Sequence, residues 1–262
     1  MSKAGPAPAF FRGEGIALHF GGVTALNGAH FAVPQGGLLA IIGPNGAGKT
    51  SLFNVITGFY RMEAGEIFLE ETRLSNLPTH TVARHGIVRT FQNLELFSNM
   101  TVLEHVLTGG HLHAGYGPFD FFLRTPRFFR AERRLREQAA AALDFVGLYE
   151  RREFPADHLP FGSARLLEIA RALCAEPRIL LLDEPAAGLN LRETADLGVL
   201  IRRVVDRGIT VVMVEHDMDL VMGISDRVVV LNYGEVIASG TPAEVQRDPA
   251  VIVAYLGEEA AG

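Results

Sequence analysis

Gly43-Pro44-Asn45-Gly46-Ala47-Gly48-Lys49-Thr50 is the stretch on which the reading of this chain turns. It fits the spacing G-x-x-x-x-G-K-[ST], in which a glycine-rich turn cradles phosphate oxygens. Its surroundings are those the chemistry needs. The apolar run Leu38-Leu39-Ala40-Ile41-Ile42 precedes it and reads as a buried strand, while Ser51-Leu52-Phe53-Asn54-Val55-Ile56 continues as a helix. Glycines let the backbone turn tightly and bring its N–H groups close to a phosphate. The helix N-terminus adds partial positive charge. Lys49 supplies a full charge for β- and γ-phosphates, and the Thr50 hydroxyl is placed to ligate Mg2+.

The 262 residues suffice for one large α/β domain or two small ones. Apolar residues make up 48%, enough to fill a large core, and the net charge of −6 argues against a dedicated nucleic-acid binder. Cys174 is the single cysteine, so no intrachain disulfide forms, in keeping with a reducing compartment. No run approaches the roughly 20 apolar residues of a membrane span. Residues 1–15 carry Pro6 and Pro8 and lack a hydrophobic signal core, which fits a loose tail on a cytosolic protein.

Outward from the loop, other strand ends carry polar residues. Arg178-Ile179-Leu180-Leu181-Leu182 reads as a strand running into Asp183-Glu184-Pro185. Asp183 can hold Mg2+ through its water shell, and Glu184 can orient or deprotonate an attacking water. Neighbouring strand residues point to opposite faces, so the two act together only if the strand stops there, and Pro185 is the expected stop. Residues 208–214 form another buried strand, followed by Glu215-His216-Asp217; residues 86–91 are strand-like and end at Gln92. In a parallel sheet such ends gather at one ligand crevice. There His216 can bond a γ-phosphate, and Gln92 can touch phosphate, metal or water. Taken singly, Gln92 is as well read as a plain loop residue, and His216 is better read as one.

Further strands are expected at 16–20, 29–33, 65–69, 227–231 and 235–238, and helices at 138–146, 164–176, from Pro242 and at 249–256, with a frayed tail over 257–262. Leu167, Ala170, Leu173 and Cys174 repeat at helical spacing, which makes Cys174 a core residue. Phe20 reads either as a core phenylalanine or as a ring that stacks on adenine. Residues 101–137 differ from the rest. A helix starts near Thr101. Glycines follow at 109, 110, 115 and 117, and then Phe119, Phe121, Phe122, Phe128 and Phe129 interleave with Arg124, Arg127, Arg130, Arg133, Arg134 and Arg136. Residues from about 100 to 160 read as a helical subdomain. The aromatic patch fits either a surface for a protein partner or a solvated arginine face over packed phenylalanines. Interleaved basic and aromatic residues also suit nucleic acid, which the acidic balance disfavours.

In their order these motifs resemble the nucleotide-binding subunit of an ABC transporter, over about residues 14–257, with 1–13 and 258–262 as flexible tails. The resemblance implies an α/β fold, a P-loop NTPase (RecA-like) core with an N-terminal antiparallel β layer and an inserted α-helical subdomain. It makes 43–50 the Walker A loop, Gln92 the Q-loop, 159–163 the signature segment, Ile179 to Asp183 Walker B, Ala187-Gly188-Leu189-Asn190 the D-loop and His216 the switch histidine. ATP would then meet Phe20, the Walker A residues Gly43, Pro44, Asn45, Gly46, Ala47, Gly48, Lys49 and Thr50, Ser51 beside them, and Gly162 and Ser163. Mg2+ would meet Thr50, Gln92 and Asp183, and catalysis would rest on Lys49, Gln92, Glu184 and His216.

Residues 88–97, 100–104, 167–173, 185–190, 240–245 and 254–257 resemble the branched-chain amino-acid importer branch, and the insertion around 110–135 is similar to that of the larger of its two ATPase subunits. Lipopolysaccharide-export and urea or amide systems share much of the pattern. The resemblance implies an ATPase that energises import of branched-chain or other hydrophobic amino acids, peripheral at the cytoplasmic face of the plasma membrane. Its partners would be transmembrane permease subunits, a second ATP-binding subunit and an extracytoplasmic substrate-binding protein, with no nucleic acid. The signature departs from the family: Pro160 stands where a serine is usual and Ser163 where a glutamine is. Those departures motivate the alternative of a low-turnover regulatory half of a heterodimer.

Overall fold

The computed structural model describes residues 9–90, 96–111, 115 and 117–259. Strands β1 (Phe11–Phe20), β2 (Val23–Val33), β4 (Ala64–Leu69) and β5 (Thr72–Arg73) form an antiparallel sheet in the order β2-β1-β4-β5. Strands β3 (Leu38–Ile42), β6 (Ile87–Arg89), β7 (Ile179–Asp183), β8 (Thr210–Val214), β9 (Arg227–Asn232) and β10 (Glu235–Gly240) form a second sheet in the order β10-β9-β3-β8-β7-β6. It is parallel except for β10, which runs antiparallel to β9. The helices are α1 (Lys49–Ile56), α2 (Thr79–Arg84), α3 (Val102–Gly110), α4 (Pro118–Leu123), α5 (Pro126–Phe145), α6 (Phe161–Cys174), α7 (Leu191–Asp206), α8 (Met218–Ile224), α9 (Pro242–Val245) and α10 (Pro249–Glu259).

The second sheet is buried on both faces, which explains its unbroken apolar strands. Alternate residues feed two cores. Leu38, Ala40 and Ile42 of β3, Leu180 and Leu182 of β7 and Val211 and Met213 of β8 pack with α3, α5, α6 and α7. Leu39 and Ile41, Ile179 and Leu181, and Val212 and Val214 pack on the other side with α1 and the antiparallel sheet. Each fully buried aliphatic side chain contributes about 1.5–3 kcal/mol. Register then fixes where the strands stop. Val214 pairs with Ile41 on one side and with Asp183 on the other, and Leu181 pairs with both Val212 and Arg89. The carboxyl ends of β3, β8 and β7 therefore finish level, below the loops that carry Lys49, Glu184 and His216.

Several expected boundaries move. β1 starts at Phe11, not Ile16, and Phe11 is fully buried, so residues 11–13 are sheet and not tail. β2 likewise starts at Val23 instead of Ala29. Glycines hid both starts: Gly15 and Gly28 take positive φ, and the β1 register shifts between Gly13 and Ile16, as at a bulge. α10 continues to Glu259, so 257–259 are helical. α5 begins at Pro126, twelve residues before the expected Gln138, because Thr125 caps it and Pro126 occupies its first turn. α6 begins at Phe161, not Ala164. Neither α7 nor α8 has a counterpart among the expectations.

Candidate nucleotide-binding site

The loop between β3 and α1 needs its glycines for space as well as for φ. Gly43 has φ 148°, and a Cβ there would collide with the Leu231 carbonyl oxygen. Gly48 has φ 104°, and a Cβ would stand 2.5 Å from the Ala25 carbonyl oxygen. Gly46, at φ 75°, faces open space. The Ala47 amide donates to the Pro44 carbonyl (3.2 Å), and the Gly234 amide donates to the Ala47 carbonyl (2.9 Å), so the β9–β10 turn holds the loop from outside. Lys49 is buried, and its Nζ donates to the carbonyls of Gly43 (2.6 Å) and Pro44 (2.8 Å). The ammonium is thus positioned across its own loop. Asn45, Gly46 and Thr50 are exposed; Ser51 is half-buried. Gly48, as N-cap of α1, supplies no side-chain cap, so the helix dipole and its first N–H groups suit an anion.

Asp183 closes β7 and is buried. Arg89, at the end of β6, donates from Nη2 to Asp183 Oδ2 (2.5 Å) and from Nη1 to Asn54 Oδ1 of α1 (2.6 Å). Its guanidinium also stands 5.5 Å from the Phe53 ring centre. One arginine thus joins the helix after the loop to both neighbouring strand ends. The next residue, Glu184, has φ 48°, a left-handed conformation uncommon for a residue with a side chain. The strand therefore breaks at Glu184, one residue before the expected stop at Pro185. The turn brings Glu184 Oε1 to 2.7 Å from His216 Nε2. Beneath them lies Glu215, buried, with Oε1 accepting from the Ala186 amide (2.7 Å) and Oε2 from the amides of His216 (2.7 Å) and Asp217 (3.2 Å). This carboxylate ties the loop after β7 to the loop after β8.

The remaining expected site residues fall in three places. Phe20 is 46% exposed and meets Tyr60 edge-on with ring centres 5.1 Å apart, so it is not a core residue. Gln92 lies outside the described residues. Gly162 and Ser163 lie at the first turn of α6 and, with Glu193 of α7 and Arg165, line a cavity of about 490 Å3. Pro160 is the N-cap of that helix and makes no side-chain cap. Arg89, Asn54 and Glu215 were absent from the expected site. Arg89 had one sequence signal, a charged residue inside an apolar strand.

A glycine-rich loop between a central parallel strand and a helix, level with an acidic end of β7 and a Glu–His pair, defines a P-loop nucleoside triphosphatase. The chain belongs to the ABC transporter family, whose pattern it matches over residues 26–187. Residues 235–261 match a second family, described as the branched-chain amino acid ATP-binding cassette transporter. The high-affinity branched-chain amino acid transport ATP-binding protein BraF of Pseudomonas aeruginosa is 47% identical, covering 94% of this chain and 96% of its own length. LivG of Salmonella typhimurium, with the same description, is 46% identical at the same coverage. Among solved structures, the ADP conformation of MJ1267, an ATP-binding cassette of an ABC transporter, superposes with a TM-score of 0.82 at 33% identity, covering 95% of this chain and 99% of that one. The chain is thus an ATP-binding ATPase subunit of a transporter, working with membrane permease partners and as part of a dimer. Among the described residues no helix is long and apolar enough to cross a membrane.

Proposed function

We propose that this ATPase energises an importer of branched-chain amino acids. It would sit on the cytoplasmic face of the plasma membrane with permease subunits, a second ATP-binding subunit and an extracytoplasmic substrate-binding protein. The substrate class rests on the likeness to BraF and LivG along nearly the whole chain. The catalytic reading rests on one observation, the 2.7 Å contact between Glu184 and His216 beside the phosphate loop. Lys49 and the loop amides hold the β- and γ-phosphates, and Phe20 offers its exposed ring to adenine. Glu184 orients a water, whose oxygen attacks the γ-phosphorus as the bond to the ADP oxygen breaks. Glu184 receives the water's proton and His216 steadies the γ-phosphate.

Mg2+ fits the donors present. Thr50 and Asp183 offer hard oxygens, and among the described residues no cluster of three or more His, Cys, Asp or Glu side chains could cage a metal. That suits an ion that keeps waters and takes its other ligands from phosphate. When bound, it neutralises charge developing on the phosphates. Arg89 orients Asp183 for that task, and Gln92 is assigned to the same metal and to the water.

Gly162 and Ser163 serve the nucleotide held by the second subunit. Their amides open α6 with no side-chain cap, so Pro160 leaves them available to a γ-phosphate, and the Ser163 hydroxyl adds a donor. This favours a working signature over the regulatory alternative. Transport assays with the reconstituted complex test the substrate class. ATP-driven uptake of leucine, isoleucine and valine is expected; uptake of urea or amides in their place would contradict it.

A further inference from the structure

The corner between α4 and α5 presents the most exposed aromatic cluster among the described residues. Phe119 is 73% exposed, Phe121 54%, Phe122 80%, Leu123 62% and Phe129 57%. These rings touch one another more than the core: Phe121 meets Phe122 and Phe128 edge-on, each at 5.7 Å, and Phe128 meets Phe129 at 5.4 Å. The corner has a defined shape. Asp120 accepts from the Gly117 amide (3.3 Å) and the Thr125 hydroxyl (2.8 Å), and Thr125 in turn accepts from the Phe128 amide (3.3 Å) to cap α5. Arg124 makes the bend in a left-handed conformation, φ 46°. A large exposed apolar patch held in place this way marks a surface that something else covers.

The charge around it selects the occupant. Residues 118–136 hold six arginines against Asp120 and Glu132, a net of +4 in a chain of net −6. All six arginines are exposed. Arg134 pairs with Glu176 at 3.4 Å, while Arg124, Arg127, Arg130, Arg133 and Arg136 have no carboxylate within 4 Å among the described residues. Arg127, Arg130 and Arg134 recur at helical spacing along α5. Arginine and phenylalanine both occur at protein–protein interfaces, but here the cations alternate with exposed rings from Phe119 to Arg130, and Arg133, Arg134 and Arg136 extend the charge along α5 with a single carboxylate partner among the described residues. A bilayer interface accommodates both at one depth. Rings enter the boundary between headgroups and acyl chains, and guanidinium forks meet lipid phosphates. The rest of the chain is net acidic and is repelled by the same anionic surface, which favours an orientation with this patch toward the bilayer.

We propose that the α4–α5 corner is an interfacial anchor that places its phenylalanines in an anionic lipid bilayer with its arginines on the headgroups. The transporter subunit would then hold the membrane itself, in addition to its permease partners.

Flotation of the purified full-length chain with lipid vesicles, in the absence of any permease, tests this. Vesicles containing phosphatidylglycerol should carry the chain, and vesicles of phosphatidylcholine alone should not. About 1 M salt, where the Debye length is about 3 Å, should release it. The double variant Phe119→Ser, Phe122→Ser and the triple variant Arg124→Gln, Arg127→Gln, Arg130→Gln should each lose at least about 10-fold in vesicle binding. ATP hydrolysis by both variants should match the parent, which shows that they fold. A parent chain that ignores phosphatidylglycerol vesicles overturns the proposal, as does undiminished binding by both variants. Failure of the parent to bind vesicles, with loss of permease assembly in a variant, would assign the patch to a protein partner.

Discussion

At the strand ends around Lys49, charge is buried and matched; at the α4–α5 corner it is exposed and mostly unmatched within the chain. Arg89 meets Asp183 and Asn54 with little of its side chain exposed, and Glu215 accepts three backbone amides. Nothing comparable holds Arg124, Arg127 or Arg133, which stand in water beside phenylalanines that also stand in water. The first region depends on its own contacts, so substitutions there should damage the fold. The second contributes little to the folded chain, so substitutions there should be felt only when an outside surface is present.

The largest difference should come from Arg89→Ala. It leaves Asp183 buried without its cation, which costs about 3–5 kcal/mol, read from denaturant midpoints. A loss under about 1 kcal/mol would mean that water reaches Asp183 and that the pair is no structural tie.

A titration of the core comes next. His105 is fully buried in α3, and its Nε2 accepts from Arg171 Nη1 at 3.3 Å, which fixes the neutral ring. Burial, and then the Arg171 charge, push its pKa down to about 4. The unfolded imidazole titrates near 6.5, so below that pH the unfolded chain takes up a proton that the folded chain refuses. Stability is therefore full above about pH 6.5 and falls by up to about 3 kcal/mol as pH drops toward 4. Melts across this range should show the slope, and His105→Gln should flatten it. An unchanged slope in the variant would place the titration elsewhere.

The smallest effect should be at the corner. Phe119→Ser with Phe122→Ser should change stability by no more than about 0.5 kcal/mol in urea. A loss of several kcal/mol would show that the rings belong to the core after all.

The same contrast explains what was legible in the sequence. β3, β7 and β8 read directly because strands buried on both faces are continuous apolar runs ending in turn or polar residues. Asp183, Glu184 and His216 follow from that, since each stands at or just past the end of a run, while Lys49 follows from the glycine-rich loop between β3 and α1. Arg89 and Glu215 did not, because their meaning lies in partners distant along the chain; Asp183 is 94 residues from Arg89 and Ala186 is 29 from Glu215. α7 carried its signals openly. Leu197, Leu200, Ile201 and Val204 repeat at helical spacing, and Asn190 with Glu193 forms a capping box. Asn190 reads equally as the last residue of the D-loop, which masks its role as the cap of the helix that follows. The early halves of β1 and β2 were hidden for another reason, glycines that signal a turn in sequence and make irregular strand in the fold.

Steady-state ATP hydrolysis by the purified chain, set beside Glu184→Gln, tests the central claim most directly. The parent should turn over ATP only with Mg2+. The variant should lose about 100- to 10,000-fold in rate while it still binds ATP and dimerises around it. Turnover that survives in the variant, or ATP binding lost with it, would contradict the role given to Glu184 beside His216.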